Sequence, residues 1–282
     1  MRTGLPMAPD AIARLRRQGD IALDPDARLC FRGAAGELHR WLGAQIGQMI
    51  LSTGAVPLEV PSSIDRGTLA RAGYFESFAD GAIDVSADGS AFLPPAACYH
   101  AYPSMQGQSL DTPLVVTLAA ACGRREDRTP DDVGRLRRFH MREAVFAGAG
   151  PWVSAERDMW MRRAAAFADA LGLTGVMTPA TDTFFGGEGR GRRLIQQIKQ
   201  LKFELRMDAG SAGPLAVASF NLHGSFFTSR FAIGPLPDGS NAMSGCAAFG
   251  IERWTLACLA QLAPPAIQAL IEGGTPRFTT NT

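Results

Sequence analysis

Between residues 34 and 53 apolar side chains recur every three or four positions, at Leu38, Trp41, Leu42, Ile46, Met49 and Ile50. This spacing predicts a helix. The next stretch, GAVPLEVPSS, alternates instead: Val56, Leu58 and Val60 are separated by Pro57 and Glu59, which predicts a short strand. Pro57 has no N–H for a ladder, so it marks an edge strand or the start of one, and Pro61 closes it. RGTLARAGYFESF is a short helical stretch interrupted by a glycine. Residues 113–122, PLVVTLAAAC, read as a buried strand. The polar loop GRREDRTPDDVGR and a second strand, LRRFHMREAVFAG from near Leu136, follow it. The two strands form an antiparallel pair around a long charged loop. Residues 154–171 predict a helix with Ser154 as its N-cap. FFGGEGRGRRLIQQIKQ is a Gly-rich turn followed by a basic helical stretch, and LKFELRM, PLAVASFNLH and FFTSRFAI are three strand candidates. The last predicted helix follows Gly250. Residues 1 to about 33 are polar and basic, a short helix or arm. Strands cluster in the middle and late chain without regular alternation with helices, which predicts an α+β fold with a mainly antiparallel sheet. There is no internal repeat and no linker that would divide two domains.

Composition narrows the function classes. The chain has 282 residues, 46% apolar and 20% charged, ordinary for a globular protein. A net charge of +1 leaves no global footprint for nucleic-acid binding. Five widely spaced cysteines, an odd number, do not form a disulfide framework and point to a reducing, cytoplasmic setting. The N-terminal stretch lacks the apolar core of a secretory signal, and no apolar run is long enough to span a bilayer, so no membrane partner is expected.

Four places hold candidate chemistry. Arg253 sits in the first turn of an apolar helix, with Phe249, Gly250, Leu256 and Ala257 as helical neighbours. Either its stem packs while its head finds solvent or a carboxylate, or its fork serves an anion such as a phosphate. In CGRREDR, Arg124 and Glu126 point to one side of a strand end, fit either for a charged ligand or for a solvated hairpin tip. In FHMRE, Phe139, Met141 and Glu143 share a strand face, and a carboxylate buried there needs a cation, a metal or a ligand amine. Cys98 and Cys246 lie in PAACYHAYP and SGCAAFG, read as turns, while Cys30, Cys122 and Cys258 read as core. There is no C-x-x-C, and the four histidines show no metal-binding spacing. GGEGRGRR follows no strong strand of a βαβ unit, which discounts it as a dinucleotide fingerprint.

These pieces, in this order, resemble the catalytic domain of a class II aminoacyl-tRNA synthetase of the seryl type. The helix at 35–53 with GAVPLEVPSS is similar to the first class II motif, a dimer-interface helix and strand ending in a proline. GRRED with RRFHMRE is similar to the second, and FGIERW to the third. The resemblance covers roughly residues 35–265 and implies a catalytic domain over 35–282 behind a short segment, 1–34. About 34 residues before the first motif are too few for the long tRNA-binding arm of a seryl-tRNA synthetase. The chain therefore resembles the amino acid:carrier-protein ligases, truncated relatives that load glycine or alanine on the phosphopantetheine thiol of an acyl-carrier-like protein. The stretches PAACYHAYP, FHMRE, DTFFGG, LKFEL, SFNLH and SGCAAFGIERW carry that likeness.

The resemblance implies ATP and Mg2+ as cofactors, a homodimer and no tRNA partner. Arg124 would hold the α-phosphate, Arg253 would contact the γ-phosphate and lie over the adenine, Phe139 would stack on its other face, and Glu126 would help place the adenine or the amino acid. It also implies Zn2+ on Cys98, Glu143 and Cys246, with a fourth position for the substrate amine. The basic stretch Arg190, Arg192, Arg193, Lys199 and Lys202 is the expected docking helix for an acidic carrier. Three departures stand out. Gly123 replaces a bulky residue before the second-motif arginine, GSFFTSRF is less polar than an amino-acid pocket would suggest, and Ala216 stands where a magnesium-binding acid is expected, with Glu204 as the alternative.

Overall fold

The structure is a computed structural model that describes residues 11–24, 28–78, 80–125, 133–180 and 201–273. Helix α1 (Ala11–Gln18) leads into a two-stranded ribbon, β1 (Ile21–Leu23) and β2 (Leu29–Phe31), and then into α2 (Gly33–Leu51). After β3 (Val56–Pro57) comes a small lobe with β4 (Ile64–Asp65), α3 (Arg66–Arg71), α4 (Tyr74–Ser77), β5 (Ala91–Phe92), a 3-10 turn over Ala97–His100 and α5 (Ala101–Ser104). The rest is β6 (Leu114–Gly123), β7 (Arg138–Gly148), α6 (Gly150–Ala170), β8 (Gly175–Pro179), β9 (Lys202–Asp208), β10 (Pro214–Gly224), α7 (Phe226–Arg230), β11 (Met243–Gly250), α8 (Ile251–Gln261) and α9 (Pro264–Gly273). Among the described residues no helix is long and apolar enough to cross a membrane.

A seven-stranded sheet in the order β3-β6-β7-β11-β10-β9-β8 organises the molecule. Every pair is antiparallel except β3 with β6, so the expected α+β class with a mainly antiparallel sheet is what the chain builds. Successive side chains of a strand point to opposite faces, and β7 shows the consequence. Ala144 and Phe146 join the rear core with α2, α6 and α8, whereas Val145 and Ala147 join the front core with the small lobe. Of the predicted apolar stripe, α2 buries Leu38, Leu42, Ile46, Met49 and Ile50, while Trp41 is only partly buried against the same core. Each of those larger side chains contributes about 1.5–3 kcal/mol on burial. Gly47 lets that helix lie close over the sheet: a Cβ there would stand 3.3 Å from the Arg142 Cζ.

Six local expectations are corrected. The helix expected from Ser154 begins at Gly150, with Ala149 as N-cap and proline in the first turn, where no N–H is needed. FFTSRFAI is not a strand. Its first half is α7, and the buried Phe227 and Phe231, four apart, mark the helical period that the β-branched and aromatic content obscured. SGCAAFG is not a turn but most of the central strand β11, made of small residues because its neighbours press on it. A Cβ on Gly245 would lie 2.4 Å from the Phe146 ring. Cys30 is exposed, not core, because it sits on the outer face of the β1–β2 ribbon. The helix after Gly250 is followed by a further one, α9. The ladder of the edge strand is also shorter than its alternation predicts, covering only Val56–Pro57.

Candidate active site

The front face of the sheet, under the small lobe, carries three buried side chains of the types that can hold a metal ion. Glu143 projects from the middle of β7, Cys246 from the adjoining β11, and Cys98 from the 3-10 turn above them. One ligand atom of each lies within 4.8 Å of the others. Glu143 is 0% exposed. Its Oε1 accepts the N–H groups of Ala97 at 2.8 Å and Cys98 at 3.2 Å, so the carboxylate itself fixes the turn that brings Cys98 in. Its Oε2 is buried and has no hydrogen-bond partner among the described residues.

Burial pushes the Glu143 carboxyl upward, and the Cys98 and Ala97 N–H groups only partly offset that. The Cys98 thiol is pushed well up by its hydrogen bond with Cys246, by burial and by the Glu143 charge. For Cys246 the hydrogen bond with Cys98 pulls down, but burial and Glu143 outweigh it and the thiol also rises. Three acidic groups that resist ionisation together in the dark of a core are what a divalent cation would relieve. Two sulfurs and an orphaned carboxylate oxygen fit zinc, a borderline-soft ion, better than magnesium or calcium.

A second ring of polar groups surrounds Cys246. Asn221 Nδ2 donates to its Sγ at 3.4 Å, and His223 Nε2 lies 3.6 Å from it. Burial drives the His223 pKa down to about 3, so the ring is neutral, with Nδ1 at 2.8 Å from the Tyr102 hydroxyl and 3.4 Å from Ser244 Oγ. Asn221 borders the cavity, and its buried Oδ1 has no hydrogen-bond partner among the described residues. Sequence reasoning passed over Asn221 and His223. The signal was present as polar residues at strand spacing, Ser219, Asn221 and His223, on an otherwise apolar strand.

The cavity beside this cluster is lined by Arg124, Phe139, Met141, Glu143, Cys246 and Arg253, among others. The structure thus brings Arg124, Phe139, Glu143, Cys246 and Arg253, singled out separately in the sequence, around one cavity. Phe139, Met141 and Glu143 share the face expected of them. The Arg124 guanidinium lies 4.9 Å over the Phe139 ring. Arg253 reaches across from α8, donating to the Ala216 carbonyl at 3.0 Å and the Gly134 carbonyl at 3.2 Å. That answers why a cation stands on an apolar helix: its stem packs and its fork opens on the cavity floor. Gly123 is glycine because a Cβ would run into Leu93 Cδ1 at 2.6 Å.

Glu126, Arg190, Arg192, Arg193 and Lys199 lie outside the described residues. Lys202 is not on a docking helix. It opens β9 and lines the cavity, with its Nζ 3.3 Å from Glu204, whose other oxygen pairs with Arg206 at 2.9 Å.

No family model matches the chain. It is 41% identical over 168 residues to amino acid–[acyl-carrier-protein] ligase 1 of Bradyrhizobium diazoefficiens, a match covering 58% of this chain and 51% of that protein. It is 39% identical to ligase 2 of the same organism over 58% of this chain and 49% of that protein. A type-2 serine–tRNA ligase of Methanocaldococcus jannaschii is 28% identical over 177 residues, 60% of this chain and 34% of that protein. The chain spans about half the length of the curated carrier-protein ligases it matches. Among solved structures, the M. kandleri seryl-tRNA synthetase bound to an A. aeolicus tRNA superposes with a TM-score of 0.78 at 19% identity, over 96% of this chain and 63% of that one. The Pyrococcus horikoshii seryl-tRNA synthetase complexed with ATP superposes with a TM-score of 0.77 at 15% identity, over 95% and 64%. The fold is that of a class II seryl-tRNA synthetase catalytic domain, and the sequence relatives are amino acid–carrier-protein ligases and, in part, serine–tRNA ligases.

Proposed function

We propose that the chain uses ATP to activate a small amino acid, glycine or alanine, as its aminoacyl-adenylate and passes the acyl group to the phosphopantetheine thiol of a carrier protein. The observation that carries this reading is the fully buried Cys98–Glu143–Cys246 cluster, whose Glu143 and Cys246 open on the cavity that also holds Arg124, Phe139 and Arg253. An amine-seeking end and a phosphate-seeking end face one space. Zinc held by Cys98, Glu143 and Cys246 would supply one open position for the substrate α-amine. Asn221 Oδ1 is a further acceptor for an amine N–H beside it. Neutral His223, packed on Tyr102 and Phe227, fills the space next to Cys246 and favours a small side chain.

With the amine seated, the amino-acid carboxylate attacks the α-phosphorus. The Pα–O bond to the β-phosphate breaks and pyrophosphate leaves. Arg124 would neutralise the α-phosphate, Arg253 the γ-phosphate, and Phe139 would stack on the adenine. In the second half-reaction the carrier thiol sulfur attacks the acyl carbon, the mixed-anhydride C–O bond breaks and AMP leaves. Magnesium would accompany ATP, and Glu204 would reach it only by releasing its ion pairs with Lys202 and Arg206. The basic stretch with Arg190, Arg192, Arg193 and Lys199 would dock the acidic carrier, and Glu126 would help place the adenine or the amino acid. Dimerisation would use α2 and the edge strand β3, whose Val56 is 52% exposed.

The second reading is acyl transfer to tRNA, favoured by the likeness to serine–tRNA ligases. Amino-acid-dependent ATP–pyrophosphate exchange tests the activation step. Exchange with glycine or alanine and transfer to a phosphopantetheinylated carrier support the first reading. Exchange with serine and charging of tRNA favour the second. No exchange from a folded, zinc-loaded sample contradicts both.

A further inference from the structure

The hydrogen-bond ladder between β7 and β11 stops at the pair Met141–Gly250, because the chain turns into α8 at the next residue. The strand β7 runs on past this end to His140 and Phe139, still paired with Ala121 and Cys122 of β6 on its other side. The His140 N–H therefore faces a gap where β11 would have continued. Glu252 fills it. Its carboxylate is 4% exposed, and both oxygens accept the His140 N–H at 2.9 Å. Its Oε1 also stands 2.7 Å from His140 Nδ1. Glu252 borders the cavity and directly precedes Arg253, and His140 directly follows Phe139, on which Arg124 stacks.

We infer that Glu252 is a positioning residue for the nucleotide end: a side-chain strut that replaces the missing strand and fixes the Phe139–Arg124 stack relative to the Arg253 fork. A charged acceptor holds an N–H more firmly than a neutral carbonyl, and two oxygens on one N–H resist sliding of the strand. The cluster His39, His140 and Glu252 also has the spacing of metal ligands. Both carboxylate oxygens are already engaged there, and the adjoining rear cavity is lined by Arg40 and Arg142, cations that oppose a metal.

The inference rests on the reading of this cavity as an ATP site, and two readouts keep the two ideas apart. The first is steady-state pyrophosphate exchange. Glu252→Ala is expected to raise the KM for ATP about tenfold while the KM for the amino acid and the zinc content stay at the wild-type level. Glu252→Gln keeps one acceptor oxygen and is expected to recover most of that loss. His140→Ala, which keeps the backbone N–H, is expected to change it less than Glu252→Ala. The second readout is amide hydrogen exchange without nucleotide. The His140 amide is expected to exchange about tenfold faster in Glu252→Ala, with Val145 unchanged. An ATP KM that does not move, or a KM for both substrates that rises together, overturns the positioning role. An unchanged His140 amide overturns the strut itself, even in a chain that proves not to bind ATP; a faster one in that case supports the strut and sinks the ATP reading alone. If Glu252→Ala does not fold, Glu252→Gln carries the test, with an ATP KM raised roughly threefold and the amino-acid KM unchanged as the expected result.

Discussion

The two ends of the cavity are built differently. The cysteine–glutamate end comes from the interiors of elements: Glu143 and Cys246 sit mid-strand, and Cys98 is held by the carboxylate with which it would share a metal ion. Its three side chains are all buried, and their burial alone raises the cost of charge. The arginine end, proposed for the nucleotide, comes from the ends of elements: Arg124 just past β6, Phe139 near the start of β7, Arg253 in the first turn of α8. There the positions are set by side-chain contacts, the Arg124–Phe139 stack, the Arg253 bonds to two carbonyls and the Glu252 strut. A preformed metal cradle needs precise spacing of few atoms, which strand interiors supply. A long, flexible triphosphate needs reach, which long cations at element ends supply.

Damage at the first end should be the more severe. Cys246→Ser is expected to remove the bound zinc and cut amino-acid activation by at least about 100-fold, because a ligand and its charge are lost together. Metal analysis beside exchange kinetics checks it, and a variant that keeps both would break the comparison. Arg253→Ala should cost about 100-fold in kcat/KM with the zinc content unchanged, since the charge it meets is on the nucleotide. Phe139→Ala, losing only stacking, should cost roughly tenfold, expressed in the KM for ATP. Equal losses of zinc in these last two variants would show that the ends are one unit and not two.

The smallest expected effect is a pH dependence at the strut. The hydrogen bond to Glu252 raises the His140 pKa above its ordinary 6.5, and burial only partly opposes this. A group raised in the folded state stabilises it below the unfolded pKa and loses that contribution as pH climbs through the folded value. The Tm difference between wild type and His140→Ala should therefore be widest below pH 6.5 and close on the alkaline side. The ring is 60% exposed, so the difference is small. A gap that widens with pH would contradict the pairing.

The sequence made the sheet pair β6–β7, the helix α2 and the shared face of Phe139, Met141 and Glu143 legible, because each follows a plain period of two or of three to four. The zinc-type cluster was not legible from spacing. Cys98, Glu143 and Cys246 are far apart in sequence and meet only when β11 docks on β7, so they came through resemblance alone. SGCAAFG hid a central strand because the packing constraint that demands small residues, Phe146 against Gly245, is a tertiary one. Glu252 escaped notice because the gap it fills exists only where one strand outlasts its neighbour. Asn221 and His223 were within reach, two polar positions on one face of a buried strand, and needed only the question of what they face.

The central claim is that one cavity seats an amine at the cysteines and a nucleotide at the arginines. A crystal structure of the zinc-loaded chain with a non-hydrolysable glycyl-adenylate analogue, recorded at the zinc absorption edge, tests it most directly. The account predicts an anomalous peak bounded by Cys98, Glu143 and Cys246, the analogue's amine beside it, and the adenine against Phe139 with Arg253 over its other face. A peak elsewhere, or an adenylate bound away from Phe139 and Arg253, would contradict it.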